Sequence, residues 1–231
     1  MAADAVLGAA RLIEAARRTR TPLGALPAHF HPEDEAAGYR IQRALHELLA
    51  TEQGGLVGYK IGCTSKVMQA YLAIPHPCAG GVFARGVHES GASLRAADFV
   101  RVGVECEIAV RLDQDLAPDG APFTGESVAG AIAVCHPAIE IVDDRYAQWE
   151  TLGAPTLIAD DFFAAGCVLG TEVARAALPE LAEVKGRAFI NGELVGQGTG
   201  ADVLGHPIRR WPGSPIIWPP RAGACTPGRS C

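Results

Sequence analysis

Val102-Gly-Val-Glu105-Cys-Glu107-Ile-Ala-Val-Arg-Leu112 is apolar and β-branched apart from its two acids, a composition that predicts a buried strand. Side chains alternate along a strand, so Glu105 and Glu107 leave the same face. Two carboxylates aimed together into low dielectric repel each other, which calls for a cation between them or a proton on one of them. A divalent metal is the natural candidate. On pattern alone, an edge strand with one face in water reads the same way.

A metal such as Mg²⁺ or Mn²⁺ needs further oxygen donors. Pro137-Ala-Ile-Glu140-Ile-Val-Asp-Asp-Arg145 is a second apolar run with one acid on its inner face, which makes Glu140 the third candidate ligand. Asp143 and Asp144 lie just beyond and read as cap or turn residues, or as partners of Arg145. Lys60, in Leu56-Val-Gly-Tyr-Lys60-Ile-Gly-Cys-Thr-Ser65, interrupts another apolar strand. Its stem can snorkel to water, or its ammonium can hold a substrate carboxylate or stabilise an enolate. Asp160 and Asp161 precede the apolar Phe162-Phe163 and either cap a turn or face the site. His76 reads as part of a rigid Pro-flanked turn.

The chain has 231 residues, enough for one substantial core. With 48% hydrophobic and 20% charged residues it has the composition of a soluble globule. A net charge of −6 with no basic stripe argues against a nucleic-acid partner. Apolar runs are too short for a membrane span, and the N-terminus lacks a signal-peptide core, so a cytoplasmic location is expected. The cysteines (Cys63, Cys78, Cys106, Cys135, Cys167, Cys225 and Cys231) are odd in number and scattered, which reads as reduced thiols.

Helical spacing predicts helices over residues 4–20 and 32–52, the second with acids at its positive end and Gly54-Gly55 beyond it. From Leu56 onward short β-rich runs follow: 56–61, 103–112, 138–143, 166–169 and 187–190. Asn191-Gly192 marks a type I′ hairpin, and helices are expected over 65–72 and 126–135. Together these predict an α+β protein with a helical region at 1–55 and a β-rich catalytic domain at 56–207. Residues 208–231 show no helical or strand period, with six of the sixteen prolines falling in the last 25 residues. They read as an aberrant tail.

Gly58-Tyr-Lys60-Ile-Gly-Cys-Thr-Ser65, Val104-Glu-Cys-Glu-Ile-Ala-Val110, Pro137-Ala-Ile-Glu-Ile-Val-Asp-Asp-Arg-Tyr146, Ala159-Asp160 and Leu204-Gly-His-Pro207 occur in an order and spacing that resembles the 2-keto-4-pentenoate hydratase group. That group includes 4-oxalocrotonate decarboxylases and belongs to the fumarylacetoacetate hydrolase superfamily. The resemblance implies that superfamily's mixed β-sheet roll with a helical cap. It implies Mg²⁺ or Mn²⁺ on Glu105, Glu107 and Glu140, catalytic roles for Lys60 and Asp160, and substrate contacts from Lys60, Gly62, Thr64 and Asp161. The implied substrate is a small 2-oxo acid from aromatic breakdown, and the implied reaction is hydration of a 2-hydroxypenta-2,4-dienoate. Decarboxylation, acylpyruvate-type C–C hydrolysis and an inactive chain are the alternatives. A homo-oligomer is implied, and a complex with a pathway enzyme is compatible with it.

The chain departs from the group's pattern twice. Where the group has Ala-Asp-Asn-Ala-Ser-Ser, this sequence has Ala159-Asp-Asp-Phe-Phe-Ala164, without the small polar side chains. Past Gly-His-Pro the group continues with a helix of the type Leu-Ala-Trp-Leu-Ala-Asn, which is absent here. Back-translation from Arg210, read one base earlier, is compatible with such a helix, so a frameshift near residues 207–210 is expected.

Overall fold

A computed structural model describes residues 1–116 and 123–208. The expected tail therefore lies outside the described residues, except for Ile208, which is buried against Leu112, Val128 and Ile132. In chain order the elements are α1 (Ala3–Thr19), α2 (Glu35–Gln53), β1 (Leu56–Gly62), α3 (Lys66–Tyr71), β2 (Cys78–Phe83), β3 (Val87–Glu89) and β4 (Val102–Leu112). These are followed by α4 (Gly125–Ala131), β5 (Ile132–Asp143), α5 (Ala154–Ala159), β6 (Ala164–Leu169), β7 (Val173–Ala174), β8 (Lys185–Ile190) and β9 (Glu193–Thr199).

The two N-terminal helices form because their apolar positions recur at helical spacing and find a common core. Ala9, Ala10 and Ile13 of α1 and Ile41, Leu45 and Leu49 of α2 pack with Phe83 and Ala159. Asp34 caps α2, accepting a hydrogen bond from the Ala37 amide at 2.7 Å, so the helix starts three residues after the expected Pro32. Gly38 lets α2 approach α5 closely, since a Cβ there would lie 2.4 Å from the Pro155 carbonyl oxygen. At the other end of the described chain, Asn191 and Gly192 both adopt positive φ (52° and 86°), as a type I′ turn between β8 and β9 requires.

The central sheet has the order β3-β6-β5-β4, with β7 also pairing with β5. β3 runs parallel to β6 and the other pairs are antiparallel, while β1 and β2 form a separate antiparallel pair. Two expectations change here. The helix expected over 126–135 ends at Ala131, because Ile132, Val134 and Cys135 pair with Leu112, Arg111 and Val110 and extend β5. The strand expected to be buried at 103–112 is instead the sheet's edge among the described residues, with Val104 57% exposed on its outer face.

A buried ion-pair network joins α1, α5 and the end of β5. Arg145 Nε donates to Asp160 Oδ2 at 2.9 Å, and Arg17 Nε donates to Asp160 Oδ1 at 2.6 Å. Arg17 also reaches Asp161 at 3.1 Å. Of the roles expected for Asp143 and Asp144, the structure shows caps and turns rather than pairing with Arg145, and Asp144 accepts from the Tyr146 amide at 3.3 Å. Asp143 accepts from the Val100 and Arg101 amides, and Asp144 pairs with Arg101 at 2.8 Å. Replacing Arg145 with Met should leave Asp160 half-compensated in the interior and cost about 3–5 kcal/mol in urea unfolding. A loss under about 1 kcal/mol would show that the network is not holding the helices to the sheet.

Candidate metal centre

Antiparallel pairing of β4 with β5 sets Glu105 directly opposite Glu140 and Glu107 opposite Ala138. Cross-strand neighbours on one face lie close enough for their side chains to touch. One carboxylate oxygen from each of Glu105, Glu107 and Glu140 lies within 4.8 Å of the others. Octahedral Mg²⁺ bonds oxygen at about 2.0–2.1 Å, so small torsional adjustments bring all three onto one ion. The donor set is all oxygen, which suits Mg²⁺ or Mn²⁺ rather than a thiophilic metal.

Lys60 enters from β1. Its Nζ stands 2.8 Å from Glu140 Oε1, and its side chain is 12% exposed, so it is paired inside the cavity and does not snorkel to water. Beyond this ion pair, Glu140 Oε1, though buried, has no hydrogen-bond partner among the described residues. A buried carboxylate oxygen with spare lone pairs, facing two more acids, fits a cation.

The electrostatics agree with the geometry. Burial first, then the charges of Glu140 and Glu105, push the Glu107 carboxyl up to about 7 against the pull of Lys60. Burial also raises Glu140, again opposed by Lys60. One ammonium does not neutralise three carboxylates, and without a further cation Glu107 keeps its proton up to near neutrality.

A cavity of about 330 Å³ opens over the acids. Lys60, Gly62, Thr64, Glu105, Glu107 and Glu140, the predicted site residues outside the Asp160-Asp161 pair, all line it. Gly62 suits this wall, since a Cβ there would press on the Phe162 ring at 3.3 Å and touch Lys60 Nζ at 3.6 Å.

Asp160 and Asp161 are the exceptions. Expected to act on substrate, they lie outside the cavity lining at 1% and 0% exposure. Asp160 is spent on Arg17 and Arg145. Asp161 meets His46 Nε2 at 2.6 Å and accepts from the Gly81 amide at 2.8 Å. Burial alone would raise Asp161, but His46, Arg17 and that amide together hold it well below the usual carboxylate range. A carboxylate so fully satisfied is a structural anion. What it anchors is the next two residues: Asp161, Phe162 and Phe163 all have positive φ (58°, 50° and 66°), a left-handed turn that non-glycine residues rarely make. The turn delivers Phe162 and Phe163 into the cavity wall.

These aromatic side chains, with Trp149, Met68 and Leu72, are the site residues that sequence reasoning missed. The one available signal was the replacement of small polar groups by Phe162-Phe163; nothing local announces three successive left-handed residues. Asp144, just past the end of β5, also lines the cavity with Glu140 and Val142.

No family model matches the chain. It is 34% identical over 203 residues to the 2-keto-4-pentenoate hydratase of Paraburkholderia phymatum, covering 87% of this chain and 75% of that protein. To the 2-hydroxyhexa-2,4-dienoate hydratase of Comamonas testosteroni it is 36% identical over 202 residues, covering 85% and 74%. In three dimensions it superposes on a 4-oxalocrotonate decarboxylase from Pseudomonas putida complexed with magnesium and adipate, with a TM-score of 0.86 at 24% identity, over 100% of this chain and 86% of that one. The fold is thus that of the decarboxylase, an α+β arrangement of helices and mixed sheet, while the sequence likeness runs to the hydratases over most of both chains. With an acidic triad and a strand lysine gathered in one cavity, the chain belongs to the 2-keto-4-pentenoate hydratase family.

Proposed function

We propose that the chain is a metal-dependent hydratase that adds water to a 2-hydroxypenta-2,4-dienoate-type acid, giving a 4-hydroxy-2-oxo acid, in the catabolism of aromatic compounds. The carrying observation is the convergence of Glu105, Glu107 and Glu140 on one point of the cavity that also holds Lys60. Similarity to curated hydratases supports the reaction type, and the magnesium complex of the decarboxylase supports the metal.

The three glutamates would hold Mg²⁺ or Mn²⁺, which supplies Lewis-acid stabilisation of negative charge on a 2-oxo acid's oxygens. Lys60 adds a fixed cation beside that charge, and Glu140 holds the ammonium in place. Thr64 offers a hydroxyl on the cavity lining, and Gly62 lines it beside Lys60 without a side chain to crowd the ammonium. Ketonisation of the dienol places a proton on C5 and yields the 2-oxo-3-enoate; water then bonds to C4 while C3 takes a proton.

The free cysteines among the described residues fit a reducing cytoplasm. Exposed Val104 and Ile139 on the outer sheet face, and Phe189 and Leu194 on the β8–β9 hairpin, fit burial between copies in a homo-oligomer. No described helix is long and apolar enough to cross a membrane.

Mg²⁺-supplemented protein should convert 2-hydroxypenta-2,4-dienoate to 4-hydroxy-2-oxopentanoate, followed by loss of the dienol absorbance and by product chromatography. Glu140→Gln should lower kcat/KM by about 100-fold or more, since even residues that merely orient metal ligands cost about 10–100-fold. Lys60→Met should cost about 100- to 1,000-fold in kcat, as for the loss of one preorganised electrostatic group. Full turnover after exhaustive chelation would overturn the proposal.

Glu107 also sets a pH dependence. Its folded value of about 7 lies above its ordinary 4.5, so its contribution to the metal-free protein is fully present below about pH 4.5 and is lost as pH rises through about 7. Metal needs the ionised ligand, so affinity rises over the same interval. The increase in Tm on adding Mg²⁺ should therefore grow between about pH 5 and pH 8 in calorimetry, and Glu107→Gln should flatten that growth. A Mg²⁺ effect that shrinks with rising pH would contradict the assignment.

A further inference from the structure

Cys63 and Cys78 are nucleophilic groups that the proposed reaction leaves unused, and the fold brings them together. β1 pairs with β2 so that Gly62 stands opposite Cys78, and Cys63 is the next residue along. The two thiols hydrogen-bond to each other, and both belong to the core that holds Ile74, Tyr146 and Ile158. They differ in access. Cys78 is fully buried, whereas Cys63, between Gly62 and Thr64, lines the cavity over the acids. The backbone of Cys63 is held in place with a positive φ of 57°, its carbonyl accepting from Gln69 Nε2 at 3.0 Å. The pair is also electrically unequal. The hydrogen bond with Cys78, helped by the Lys60 ammonium, outweighs burial and pulls the Cys63 thiol below its ordinary range. The same bond, then burial and the charge of Cys63, push the Cys78 thiol up. Cys63 is therefore the sulfur that ionises, and Cys78 the one that keeps its proton.

We infer that Cys63 and Cys78 form a redox-active dithiol at the edge of the cavity, which a hydroperoxide closes to a disulfide and a small dithiol reopens. In the first step the Cys63 thiolate attacks one peroxide oxygen. The S–O bond forms as the O–O bond breaks, and the departing alkoxide or hydroxide takes up a proton. Cys63 is then a sulfenic acid, oxidised by two electrons while the peroxide is reduced by two. In the second step the Cys78 sulfur bonds to the Cys63 sulfur. The S–O bond breaks, and the departing hydroxide leaves as water with the proton of Cys78. Sulfurs already in contact need only small torsional changes to reach a bond length of about 2.05 Å. The dithiol is the resting form, because disulfides in a reducing compartment are transient and sensory. Closure also reaches the site. Gly62, Cys63 and Thr64 make one continuous stretch of the lining, and moving such an edge by about 1 Å is enough to slow catalysis.

The test is a peptide map of the full chain. Trypsin cuts after Lys60, Lys66 and Arg85, so Cys63 falls in peptide 61–66 and Cys78 in peptide 67–85, each with no other cysteine. Reduced protein treated with hydrogen peroxide, alkylated and digested without reductant should yield these two peptides joined, two hydrogens lighter than their sum, and dithiothreitol should part them. Turnover of 2-hydroxypenta-2,4-dienoate should fall by about tenfold or more along the same time course and return with dithiothreitol. Cys78→Ser should abolish the joined peptide and leave a sulfenic acid on Cys63 that dimedone labels in peptide 61–66. Separate, unjoined peptides after a peroxide dose that oxidises the exposed Cys106 would overturn the inference, as would a joined peptide with undiminished turnover. The link is measured without any assay of activity, so a protein that forms it but hydrates nothing when reduced removes the hydratase reading alone.

Discussion

Repulsion among Glu105, Glu107 and Glu140 is the constraint around which the site is arranged. Strand register creates it, because pairing β4 with β5 at Glu105 and Glu140 sets the carboxylates side by side on one face of the sheet. A shift of one residue would turn the β4 acids to the opposite face. The fold answers the repulsion only in part, with one lysine and with a Glu107 proton near neutrality. The remaining charge is what makes the cluster a candidate cation site.

The chain contains a second acidic group, and the contrast is informative. Asp160 and Asp161 are more deeply buried than the glutamates, yet Asp161 is held far below its ordinary value while Glu107 is raised. The difference lies in their partners. The aspartates meet two arginines, a histidine and a backbone amide, and they join elements distant in sequence. The glutamates meet one lysine and each other. Burial alone would raise both groups, so the direction of the shift separates anions that hold the fold together from anions left open for a ligand.

The same contrast explains what could be read from the sequence. Glu105, Glu107, Glu140 and Lys60 were legible because a charged residue in an apolar strand violates the local pattern, and strand periodicity fixes the side on which it emerges. The helices and the Asn191-Gly192 turn were legible through spacing and turn chemistry. The edge position of β4 was not, since whether a strand has a neighbour on both sides depends on topology. The extension of β5 back to Ile132 was hidden by an Ala-rich segment that suits either state until Leu112 pairs with it. Nothing local to the aspartates shows what they hold, because Arg17 and His46, which claim them, lie 143 and 115 residues away in sequence.

The Asp161–Phe163 turn carries the argument one step further. Three consecutive non-glycine residues in the left-handed region cost about 1–3 kcal/mol each, and a chain keeps such a conformation only where the surroundings over-determine it. Here the over-determination comes from the structural anion: Asp161 Oδ1 is fixed by His46 and by the Gly81 amide, and Gly80, beside it, has no Cβ because the Asp161 carbonyl oxygen would lie 2.5 Å away. The buried network and the cavity are thus one device. The ion pairs hold a backbone shape that the sequence would not adopt by itself, and that shape turns Phe162 inward, where its ring lies 5.9 Å from the Lys60 ammonium that faces the glutamates. The second anionic cluster thereby shapes the cavity over the first without lining it.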